Sequence, residues 1–283
     1  LTKVFVQQLC LSLAVVALLT ACTSQADSGS SWADFLQPTQ ERTLHTLAEQ
    51  LSATQLPMTD LGAVRYAEQS YPLYAIRIKR QPKQAAVCIF AGVHGNEVGG
   101  TAAALSLLAD LANNKSLYAK TNFFIVPLVN PWGWERNFRY NFEGQDIARQ
   151  FALEGTQETA LIKPLLAKEQ CSLVVDLHED SMKTGFYMLT YANPDPEFTP
   201  QLVQDAAKEL GSPLATKAPQ GVYQIAKHEF ARNPLPTLAQ YAREQGIEQT
   251  YIIETSMEYP LAQRVQIQRY LLDQLIKRLS LNN

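Results

Sequence analysis

Apolar residues recur along this chain in two rhythms: short continuous or alternating runs, and longer stretches repeating near every 3.6 positions. Residues 85–91 form an unbroken apolar run, as a strand buried on both faces requires. Residues 73–78 alternate as a half-buried strand does, and 122–129, 173–177, 185–191 and 250–253 supply further strands. Helices are predicted between them, over 39–51, 97–111, 157–167, 197–210, 233–244 and from Pro260 to about Leu279. Residues 102–111 are nearly all alanine and leucine, which have high helix propensity. Gly211 and Gly246 stand where helices stop, Asn233 could cap and Pro260 could open one, and Pro164 is expected to kink or shorten its own. Strands alternating with helices, without an internal repeat or interior linker, predict an α/β fold. Its form is a three-layer α/β/α arrangement around a mixed, mostly parallel twisted sheet.

The first residues follow a different pattern. After Lys3, residues 4–19 are apolar apart from Gln7, Gln8 and Ser12, which reads as a secretory leader and is short for a membrane span. Leu19-Thr20-Ala21-Cys22 resembles a bacterial lipobox, implying a lipid anchor on Cys22; an ordinary leader cut near Ala21 is the other reading. Thr23 holds the place where an aspartate would signal inner-membrane retention, so the resemblance implies an outer-membrane lipoprotein facing the periplasm. The expected organisation is a leader over 1–22, a small polar tether over 23–37 and one catalytic domain over 38–283. A net charge of −3 with no basic run argues against a nucleic-acid partner. Cys88 and Cys171 lie in or beside strand-like runs. They are either two buried thiols or, in an oxidising compartment, one disulfide, and neither has a ligand-like neighbour.

The chemistry gathers after strands. Gly92-Val93-His94-Gly95-Asn96-Glu97 places an imidazole and a carboxylate three positions apart after the run 85–91, and Asp176-Leu177-His178 closes another strand-like run. Further polar clusters follow strands at Asn130 and Glu254, and sites in open α/β sheets collect at strand ends in this way. A zinc ion that keeps one position free for water takes three such protein ligands.

The ordered set His94-x-x-Glu97, Asn130-Pro131-x-Gly133, Arg139, Asp146-x-x-Arg149, Asp176-Leu177-His178 and Glu254-Thr255 resembles the zinc carboxypeptidase family over most of residues 60–280. That clan includes carboxypeptidase A, murein peptide amidases, succinylglutamate desuccinylase and aspartoacylase. The resemblance implies one Zn²⁺ held by His94, Glu97 and His178, with Asp176 either orienting an imidazole or serving the structure. Glu254 would be the general base, and Arg139 would stabilise the oxyanion in preference to Arg136. Arg149, Asn130 and Tyr223 would contact substrate, Arg149 by pairing with a carboxylate and Tyr223 by closing over it. Ala148 replaces the asparagine that shares this carboxylate in the family pattern. Glu179 and Glu258 are expected in solvent, and His45 and His228 at the surface or at caps.

The function so implied is zinc-dependent hydrolysis of amide bonds, in peptides or in murein stem peptides of the cell envelope. The competing readings are an N-acyl amino acid deacylase of the desuccinylase and aspartoacylase type, and a surface lipoprotein that has kept the fold as a binding module.

Overall fold

The computed structural model describes residues 42–113, 116–151, 153, 155–181, 184–191, 196–215, 222–225 and 237–281, with only the backbone of 117, 222–225 and 280–281. The predicted leader and tether lie outside these residues. Eight strands form one sheet in the order β1-β2-β4-β3-β5-β8-β6-β7. They are β1 Met58–Tyr66, β2 Gln69–Ile78, β3 Ala86–Ala91, β4 Asn122–Val126, β5 Cys171–Asp180, β6 Phe186–Tyr191, β7 Val222–Ile225 and β8 Gln249–Ser256. The centre, β4-β3-β5-β8, is parallel throughout. β1 and β2 join it antiparallel on one side, and β6 pairs antiparallel with β8 on the other while β7 runs parallel to β6.

Seven α-helices accompany the sheet among the described residues: α1 Leu44–Ala53, α2 Val98–Ala112, α3 Pro131–Glu135, α4 Gln157–Lys168, α5 Phe198–Leu210, α6 Leu238–Glu244 and α7 Leu261–Leu281. Period-two alternation along the central strands sorts side chains into two cores. Val87, Ile89, Val175 and Ile253 pack with Leu107 of α2, Val203 of α5 and Leu272 of α7. Cys88, Phe90, Phe124 and Val174 face the opposite way, toward Ile162 and Leu166 of α4 and Ala242 of α6. The three-layer expectation therefore holds. Among the described residues no helix is long and apolar enough to cross a membrane.

Local differences from the predicted pattern have local causes. β1 goes unpredicted because Asp60 and Gly62 interrupt its apolar alternation; the register shifts between them, and Gly62 takes a φ of +111°. α4 continues through Pro164, whose exposed side leaves the freed carbonyl of Ala160 open to water. α6 opens at Thr237, whose hydroxyl accepts from the Gln240 N–H at 3.2 Å, and Asn233 lies outside the described residues. Cys88 and Cys171 form a disulfide with Cα atoms 5.7 Å apart, tying together the neighbouring strands β3 and β5.

Candidate metal centre

The sheet brings the dispersed polar residues to one end. β5 and β8 pair in parallel so that His178 stands opposite Glu254, and β6 pairs Tyr187 with Glu254 on the other side. β3 lies beside β5 and delivers His94 in the loop after Ala91, while Glu97 precedes the first turn of α2. Two loops must meet closely to complete this end. A Cβ on Gly95 would lie 2.1 Å from the Gly133 carbonyl carbon, so only a glycine lets the His94 loop rest on the start of α3.

His94, Glu97 and His178 are all buried, and one ligating atom of each lies within 4.8 Å of the others. His94 Nδ1 is 2.6 Å from Glu97 Oε1, His178 Nδ1 is 2.8 Å from Glu97 Oε2, and the two Nδ1 atoms are 3.2 Å apart. The outer nitrogen of each ring meets a separate carboxylate: His94 Nε2 lies 3.0 Å from Asp146 and His178 Nε2 lies 3.0 Å from Asp176. A carboxylate there keeps the proton on Nε2 and turns the Nδ1 lone pair inward, the arrangement that prepares an imidazole to bind a metal. Two neutral imidazoles and a carboxylate form a donor set suited to zinc, with ligand atoms spaced roughly 3.3 Å apart when bonds are near 2.0–2.2 Å. The residues fit the ion.

Electrostatics agree with that fit. Burial alone would depress both histidines, but Glu97 with Asp146 raises the pKa of His94, and Asp176 with Glu97 raises that of His178 well above the usual value. Burial would raise Glu97, yet the two imidazoles hold it far below the ordinary carboxylate range. Asp146 is likewise pulled down to about 2, against burial, by His94 and Arg139. The same carboxylates that favour a proton on each imidazole would favour a divalent ion held between them.

A cavity of about 410 Å³ opens on the cluster. Its lining includes Arg139, Ala148, Arg149, Tyr187, Tyr191, Ile252 and Glu254. Burial, helped by Glu97 and Asp180 and opposed by the imidazoles, pushes Glu254 up to about 7, the range in which a carboxylate can both take and return a proton. Arg139 donates to Glu97 at 3.1 Å and to Asp146 at 3.2 Å, with 36% of its side chain still exposed. Arg136 is turned away, stacked over Trp132 and bonded to the Tyr71 hydroxyl. Arg149 lines the cavity and has no acidic partner among the described residues.

Several expectations need correction. Asn130, expected against substrate, is fully buried and does not line the cavity. Its oxygen caps α3 through the Gly133 N–H at 2.9 Å, and its amide holds the Arg139 carbonyl at 3.2 Å. Glu179 is not in solvent: it is buried, accepts from the Gly99 N–H and pairs with Arg264. Glu258 is exposed as expected, and His45 pairs on the surface with Glu49. Asp176 stands 3.0 Å from His178 Nε2. Tyr223 lies on β7 with its side chain outside the described residues, as does His228 entirely. The sequence reading missed Tyr187, Leu189 and Tyr191, although their period-two spacing on a predicted strand puts them on one face.

Comparison with known proteins places the chain in a family. Carboxypeptidase 2 of Trichophyton rubrum is 31% identical over 147 residues, half of this chain and 25% of its own length, so the chain spans about a quarter of this curated relative. A solved Shewanella amazonensis SB2B protein superposes with a TM-score of 0.67 at 21% identity, covering 83% of this chain and 91% of that one. Bovine thrombin-activatable fibrinolysis inhibitor, solved with tick carboxypeptidase inhibitor, gives 0.66 at 14% identity, covering 86% and 99%. At these identities the two structures show the fold alone. The sequence profile of the zinc carboxypeptidases matches residues 46–275, a span that holds all three candidate ligands, the Glu254 strand and both cavity arginines, and so the chain belongs to the zinc carboxypeptidase family.

Proposed function

We propose that this protein is a zinc-dependent hydrolase that cleaves peptide bonds next to a free carboxylate, acting on peptides of the cell envelope, murein stem peptides among them. The observation that carries the reading is the convergence of His94, Glu97 and His178, each imidazole backed by its own carboxylate. Zinc held there supplies a Lewis acid for the amide carbonyl and makes a water more acidic. Glu254 takes the proton of the attacking water and returns it to the departing nitrogen. Arg139, fixed by Glu97 and Asp146, faces the negative charge that develops on the former carbonyl oxygen. Arg149 receives the substrate carboxylate, and Ala148 beside it leaves that recognition to a single guanidinium.

The envelope part of the reading rests on the lipobox-like Cys22 and on the Cys88–Cys171 disulfide, which suits an oxidising compartment. The test is hydrolysis by the zinc-loaded full chain of four substrate sets: muropeptides, short peptides with free C-termini, their C-terminal amides, and N-succinylglutamate with N-acetylaspartate. Free-carboxylate peptides and muropeptides should turn over. Cleavage confined to the N-acyl amino acids would make the protein a deacylase, and no cleavage by zinc-loaded protein would favour a binding module.

A further inference from the structure

The long helix α7 reaches the metal centre from behind. Arg264 NH1 meets both oxygens of Glu179, at 3.0 and 2.9 Å, and the Glu179 side chain is 0% exposed. Glu179 in turn touches both sides of the centre. Its backbone N–H donates to Glu97 Oε2 at 3.0 Å, and its carboxylate accepts from the Gly99 N–H at 2.9 Å, two residues past Glu97. The fit excludes any side chain at Gly99, where a Cβ would lie 2.2 Å from Glu179 Oε1. One turn further along α7, the amide of Gln268 donates to the His178 carbonyl and to the Thr255 hydroxyl, both at 3.0 Å. Thr255 follows Glu254 directly. Two side chains of one helix therefore bear, directly or through Glu179, on the start of α2 next to Glu97 and on the ends of β5 and β8, which carry His178 and Glu254.

We propose that Arg264 and Gln268 are positioning residues: through Glu179 and the His178 carbonyl they fix Glu97 against His178 and so set how tightly the centre holds its divalent cation. The inference rests on the reading of His94, Glu97 and His178 as a zinc centre. A buried ion pair is often structural only, and removing one partner destabilises the fold by stranding the other. Here, however, each bonded group lies within two residues of a ligand or of Glu254. Displacing them moves ligand atoms, and supporting contacts to metal ligands weaken affinity by about 10–100-fold when lost.

The experiment measures zinc dissociation constants of the full chain by competition with a chromogenic chelator, beside thermal midpoints of the metal-free proteins and the visible spectrum of the cobalt(II) form. Arg264→Met alone would strand the Glu179 carboxylate, so the pair is removed together as Arg264→Met with Glu179→Gln, and Gln268→Met is tested separately. Both proteins should bind zinc about 10-fold more weakly than the parent and show a shifted cobalt spectrum. Lowered midpoints with zinc affinity within about twofold of the parent and an unchanged spectrum would overturn the proposal, leaving a structural pair. If the parent binds zinc no better than His94→Ala does, the zinc reading itself fails, and the positioning role with it.

Discussion

The two parts of the cavity lining at the candidate metal centre are built on opposite principles. At the ligand end, charged groups are locked by short contacts to one another: His94 to Asp146, His178 to Asp176, Glu97 to both imidazoles, to Arg139 and to a backbone N–H. The rest of the lining is mostly uncharged and includes Ala148, Ser181, Tyr187, Leu189, Tyr191, Thr237 and Ile252, with Arg149 and Asp180 as charged groups. A hydrolytic centre needs its reacting atoms held within fractions of an ångström, and here the charged groups around Glu97 hold one another. On the proposed function, the less charged surface around Arg149 receives the substrate. Chemistry would then be over-determined at the ligand cluster, while selectivity would depend on few contacts around Arg149.

Substitutions should expose this asymmetry, the largest losses coming from the locked end. Glu254→Gln should lower kcat by about 10²–10⁴-fold, since general acid–base transfer is worth that much. Its zinc content, read by atomic absorption, should match the parent, because Glu254 lies outside the candidate ligand set. Arg139→Ala should follow with about 10²–10³-fold in kcat, as for loss of a donor to a developing oxyanion. A drop confined to KM would place Arg139 with the substrate end instead.

Acidification should loosen the metal. His94 and His178 both bind protons more tightly than free histidine in the metal-free protein, and zinc must displace those protons. Zinc affinity should therefore fall as pH drops, beginning above the ordinary histidine range, by about tenfold per pH unit for each proton displaced. Chelator competition at several pH values measures the slope, and a flat profile would contradict two protonated imidazoles. Arg149→Ala should give the smallest effect, a rise in KM equivalent to about 1.5–3 kcal/mol, the worth of a hydrogen bond to a charged group. The rise should vanish with C-terminally amidated peptides. If it persists, Arg149 serves the cavity wall and the carboxylate is held elsewhere.

Much of this was legible in the chain. The run 85–91 read as a doubly buried strand, 97–111 carried strong helix propensity, and 197–210 carried a stop signal in Gly211. His94, Glu97, His178 and Glu254 stood out because each follows a strand that announces itself by its apolar residues. Asn130 misled because the motif marks a position without showing where its amide points; the structure turns both amide atoms to backbone groups and hides the side chain. Glu179 misled because nothing local distinguishes a solvated carboxylate from one met by an arginine 85 positions away.

The sequence by itself determined the layered α/β architecture, the family and the candidate ligand residues, since periodicity and short motifs are properties of neighbouring residues. Only the tertiary structure decided which carboxylate backs which imidazole, that Cys88 and Cys171 are joined, and that α7 reaches the centre through Arg264 and Gln268. Those pairings depend on strand order and on helices crossing the sheet. Such long-range geometry leaves no period in the chain, because the partners share space without sharing a segment.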